Sequence, residues 1–140
     1  MRWPCWANSS PGAPRVPKRI LIVDDEDDIR EVAQMTLEMM AGWEVRAAPS
    51  GESALSMAAA DPPDAILLDV MMPGMDGPAT LARLLADPAT ARVPVVFLTA
   101  KAQAAEQRRL AEMGAAGVLA KPFDPARLAE QVSQVLGWPS

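Results

Sequence analysis

The chain has 140 residues, half of them apolar, with a formal net charge of -5. That length suits one domain with a real core, and the acidic balance without clustered Lys and Arg argues against a nucleic-acid or membrane-surface binder. The chain has no histidine, which excludes phosphohistidine, imidazole bases and the usual zinc sites.

Residues 1–17 carry Pro4, Pro11, Pro14 and Pro17 among Asn8, Ser9, Ser10 and Gly12. This density of proline defeats helices and sheet ladders, so a flexible arm is expected there. It has no apolar centre and is not a secretory signal, and no stretch of the chain is long enough to span a bilayer. Cys5 has no partner within the chain, which suits a reducing cytoplasm.

From Lys18 onward, strand and helix signals alternate. Ile20–Val23 reads as a first strand, followed by a helix with Ile29, Val32, Ala33, Leu37 and Met40 on one face and Gly42 at its end. Glu44–Ala47 is a short second strand, and Ser50 caps a helix that runs to Ala60. Ala65–Leu68 leads to Asp69 and a turn-rich loop, MMPGMDGP, before a helix marked by Leu81, Leu84 and Leu85. Val95–Leu98 ends at Thr99, and Ala102 to Met113 reads as a helix closed by Gly114. Val118–Ala120 ends at Lys121-Pro122. Asp124 and Pro125 then open a last helix with Leu128, Val132, Val135 and Leu136 facing in, and Gly137 stops it. Apolar strands that do not alternate belong in a parallel sheet covered on both faces, and right-handed crossovers put helices on both sides. The expected fold is doubly wound α/β over residues 18–137, with 138–140 as a tail.

Four of these strands end on residues that handle phosphate or metal: Asp24 and Asp25, Asp69, Thr99, and Lys121. Parallel neighbouring strands would bring all five to one sheet edge, where open α/β sheets bind ligands. Three carboxylates there repel each other, and a hard divalent cation resolves this. Oxygen ligands alone favour magnesium, with manganese as a substitute. Aspartate is an established covalent nucleophile toward phosphorus, so the set suits taking phosphate onto a carboxylate. Taken singly, an Asp pair before a helix is more often a cap, and Asp76-Gly77 reads as turn chemistry. The methionines read as core and loop filler, and Arg108-Arg109 as a solvated face.

The segments LIVDDEDDIR, ILLDVMMPGMDG, VVFLTA and GAAGVLAKPF resemble the receiver domain of bacterial two-component response regulators. The resemblance implies a flavodoxin-like five-stranded sheet of order 2-1-3-4-5. It makes Asp69 the phosphoacceptor, with Asp24, Asp25, Asp69 and the Met71 backbone carbonyl around magnesium. Thr99, Ala100 and Lys121 take the phosphate-binding and switch roles, and a cis bond is implied at Pro122. A histidine kinase or phosphotransfer protein would be the donor and another protein the target, with no direct contact to nucleic acid or membrane. The expected unit is a stand-alone receiver in a phosphorelay, monomeric or weakly dimeric, that catalyses only its own phosphorylation and dephosphorylation.

Two positions depart from the family pattern. Val118 stands where receivers often carry Tyr or Phe, and Pro78 follows Gly77 in the loop after the acceptor. Val118 keeps a phosphorylation-independent receiver-like adaptor in view as an alternative. A dehalogenase-type phosphatase would need a second acid two residues after Asp69, where this chain has Met71.

Overall fold

A computed structural model describes residues 18–100 and 103–138. The expected N-terminal arm lies outside the described residues. The elements run β1 (Arg19–Val23), α1 (Asp27–Ala41), β2 (Glu44–Ala48), α2 (Gly51–Ala60), β3 (Ala65–Asp69), α3 (Gly77–Ala86), β4 (Val95–Thr99), α4 (Ala104–Glu112), β5 (Gly117–Ala120) and α5 (Leu128–Leu136). All five strands pair in parallel in the order β2-β1-β3-β4-β5, as the resemblance implied.

Alternate residues of each strand feed two separate cores. Leu21, Val23, Ile66, Leu68 and Phe97 pack with Ala54 and Ala58 of α2, Leu81 and Leu84 of α3, and Leu110 of α4. Ile20, Ile22, Leu67, Val96 and Leu98 face Ala33 and Leu37 of α1 and Leu128 and Val132 of α5. Burial on both faces explains why the central strands are apolar at every position and do not alternate.

Local chemistry sets the helix ends. Ser50 and Asp76 accept from the backbone N–H of Ser53 and Ala79, at 3.1 and 2.9 Å. Gly42 and Gly137 close α1 and α5 in the left-handed conformation, at φ 68° and 72°. Pro78 lies inside the first turn of α3, where a missing N–H costs nothing.

Two expectations need correction. Asp124 caps only a turn, accepting from the N–H of Ala126, and α5 begins at Leu128. The methionines are not all filler: Met35, Met39 and Met40 of α1 are exposed, as is Met71. Ala33 and Leu37 alone supply the buried face of α1.

At the base of the sheet, Trp138 stacks edge-on against Trp43, with ring centroids 5.4 Å apart. The Lys18 ammonium lies 4.8 Å from the Trp138 ring centre, a cation–π contact. Trp138, the first residue of the expected tail, is thus docked on the domain.

Candidate functional site

The opposite edge of the sheet carries the polar strand ends. Asp24 follows β1 and is fully buried, held by its backbone N–H to the Ala48 carbonyl at 3.2 Å. Its Oδ1 accepts from the Glu26 N–H at 2.9 Å, closing a turn ahead of α1, whose own N-cap, Glu26, makes no side-chain capping bond. Its Oδ2 accepts from the Lys121 ammonium at 2.8 Å. The same ammonium lies 3.2 Å from Asp69 Oδ1. The ammonium thus bridges the two buried carboxylates and lies closer to Asp24 than to Asp69.

Asp25 is exposed at the mouth, and its carboxylate completes a cluster with Asp24 and Asp69. One oxygen from each falls within 4.8 Å of the others. Oxygen-only donors of this charge fit a hard divalent cation. Thr99 is buried at the end of β4, and its carbonyl accepts from the Lys121 N–H at 2.7 Å, which ties the ends of β4 and β5 together. Ala100 follows it at the surface. The Lys121–Pro122 peptide is cis. Val118 is half-buried, in register with the fully buried Phe97 and packed on that ring's core cluster.

Burial pushes the Asp69 carboxyl above its ordinary range, and repulsion from Asp24 adds to this, while Lys121 and the Met71 N–H pull the other way. Burial opposes the charge of Lys121, but its hydrogen bond and attraction to Asp24, with Asp69 adding, raise it overall. The sign for stability follows from linkage. A carboxyl raised in the folded state favours folding below its unfolded value, and that contribution is lost as pH rises through the folded value. Metal-free Asp69→Asn is therefore expected to melt above the parent at neutral pH, by a few degrees for about 1 kcal/mol. The gap should close as pH falls toward about 4, where the unfolded carboxyl protonates. Thermal unfolding of both proteins across that range checks this, and equal melting temperatures at neutral pH would contradict it.

Two contributors were missed from the sequence. Arg30 donates to the Asp24 carbonyl at 2.6 Å and also pairs with Asp27, fixing the acidic loop to α1. Gly77 packs directly on the end of β3: a Cβ there would lie 2.5 Å from the Asp69 carbonyl oxygen and 2.8 Å from Val70 Cα. Its N–H donates to the Val70 carbonyl at 2.9 Å. The only sequence signal for this was a glycine eight residues after an aspartate.

A family profile described as the response regulator receiver domain matches residues 20–133. The response regulator PleD of Caulobacter vibrioides is 46% identical over 116 residues, covering 81% of this chain and 25% of that protein. The transcriptional regulatory protein CseB of Streptomyces coelicolor is 44% identical over 117 residues, covering 84% of this chain and 48% of its own length. The chain thus spans a quarter to about half of these longer relatives. Among solved structures, the chemotaxis response regulator CheY4 of Vibrio cholerae superposes with a TM-score of 0.79 at 32% identity, covering 84% of this chain and 98% of that one. The N-terminal domain of a response regulator receiver protein from Methanoculleus marisnigri JR1 gives 0.71 at 38% identity, covering 88% and 99%. Among the described residues no helix is long and apolar enough to cross a membrane. With the sheet order, the acid cluster and the sequence match in agreement, this chain belongs to the response regulator receiver domain family.

Proposed function

We propose that Asp69 accepts a phosphoryl group from a histidine kinase or phosphotransfer protein, and that the modified domain signals through a changed protein-binding surface. The convergence of Asp24, Asp25, Asp69 and Lys121 at one sheet edge carries this reading. An Asp69 carboxylate oxygen attacks phosphorus, the bond from phosphorus to the donor nitrogen breaks, and an aspartyl phosphate remains. Asp24, Asp25 and Asp69, with the Met71 carbonyl, would hold magnesium. When bound, the ion neutralises the carboxylates and the phosphoryl oxygens.

Lys121 already bridges Asp24 and Asp69, so its ammonium is within reach of a phosphoryl group on Asp69. The Thr99 hydroxyl donates to a phosphoryl oxygen, and Ala100 supplies backbone beside it. The added charge of roughly -2 then favours a conformation in which the β4 and β5 ends close on the phosphate. Val118 is too short to follow this inward as a ring would, so the read-out runs through the α4 and β5 backbone. The output is contact with another protein.

The test is incubation with acetyl phosphate and magnesium, read by intact mass. One phosphoryl adduct is expected, absent without the metal and absent in Asp69→Asn. No adduct, with no beryllofluoride binding either, would overturn the assignment.

A further inference from the structure

Among the described residues, four methionines are exposed: Met39 at 77%, Met71 at 67%, and Met35 and Met40 at 60% each. Three sit together on α1. The fourth, Met71, stands two residues after Asp69, and its backbone N–H helps hold the Asp69 carboxyl down against the effect of burial. Its neighbour Met72 is buried at 8%. Met71 also lines an open groove of about 510 Å³ with Pro73, Pro78, Glu106 and Arg109, which keeps its surroundings accessible to small solutes. An exposed thioether on an open loop is the form of methionine that peroxide attacks.

We propose that Met71 is an oxidation site through which peroxide shortens the life of the phosphorylated domain. The step is oxygen transfer: hydrogen peroxide gives one oxygen to the Met71 sulfur, forming the sulfoxide and water. The sulfur is oxidised by two electrons and the peroxide is reduced. An apolar side chain beside the acceptor becomes a polar one with a strong hydrogen-bond acceptor. Two effects then act in the same direction. The sulfoxide oxygen holds water next to the aspartyl phosphate, where the apolar thioether did not. Its partial negative charge also disfavours a phosphoryl group nearby. Met35, Met39 and Met40 lie on the exposed side of α1, outside the acceptor edge, and their oxidation leaves the site's chemistry alone.

This inference rests on the acceptor role of Asp69, and the experiment separates the two. Untreated protein is phosphorylated with acetyl phosphate and magnesium, the donor is removed, and decay of the adduct is followed by intact mass. The same is done after hydrogen peroxide treatment, with peptide mapping to locate sulfoxides. Failure of the untreated protein to form an adduct would count against the acceptor reading, and the oxidation proposal would fall with it. With an adduct formed, the treated protein is expected to lose it roughly threefold faster or more. In Met71→Leu, the ratio of treated to untreated decay should return to one, although the α1 methionines still oxidise. In the triple variant Met35→Leu, Met39→Leu, Met40→Leu, the acceleration should persist. An unchanged lifetime with Met71 fully oxidised overturns the proposal, as does an acceleration that survives in Met71→Leu.

Discussion

Replacing Lys121 with methionine is expected to move two properties of the acceptor edge in opposite directions. Magnesium should bind more tightly, by about tenfold, because the ion no longer competes with an ammonium beside the same carboxylates. Phosphorylation by acetyl phosphate should slow by about a hundredfold, because a fixed positive charge is missing where phosphoryl charge must be held. The argument rests on geometry: the ammonium is 2.8 Å from Asp24 and 3.2 Å from Asp69, and both carboxylates are buried. The methionine chain keeps much of the aliphatic packing while removing the charge. Calorimetric titration with magnesium and the initial rate of adduct formation check the two halves. A parallel loss of both would mean that the lysine only holds the site together.

Gly77→Ala should displace Asp69, the proposed acceptor, without touching any charged group. The new methyl would lie 2.5 Å from the Asp69 carbonyl oxygen and 2.8 Å from Val70 Cα, and both are backbone atoms at the end of a central strand. Neither can move without shifting Asp69, and a misplacement of about 1 Å can lower a rate by roughly a hundredfold. A loss of about 1–3 kcal/mol in stability is expected as well, from overpacking. Gly42→Ala provides the contrast. There the left-handed φ of 68° is strained for alanine, but nothing lies within 4 Å of the added methyl. It should lose about 1 kcal/mol of stability and still phosphorylate at the parental rate. Equal phosphorylation rates in the two variants would show that the Gly77 contact is slack.

How much of this was readable in the sequence follows from the kind of information each feature needs. The strands were legible because Ile66, Leu67 and Leu68 are apolar in succession, which only a doubly covered sheet requires. The five polar residues at the strand ends were legible because parallel neighbouring strands bring their C-terminal ends to one edge. The exposed side of α1 was not. Val32, Met35 and Met39 recur at the same spacing as Ala33 and Leu37, and spacing alone does not say which apolar stripe meets the sheet. The start of α5 was misplaced because Asp124-Pro125 is an equally good opening for a single turn. The second hydrogen bond of Lys121 and the contact of Gly77 depend on distances across elements. No local pattern encodes those.

The cation–π pair at the base has an architectural consequence. Lys18 leads into β1 and Trp138 follows α5, they touch, and the edge that carries Asp69 lies at the far end of the sheet. Entry and exit share one pole while the chemistry occupies the other. Such a unit can be spliced into a host polypeptide at a single point, as a plug-in with two adjacent leads. Cargo tethered at that pole leaves approach to the opposite one unobstructed. This geometry accommodates relatives in which the same fold forms a quarter or a half of a longer protein.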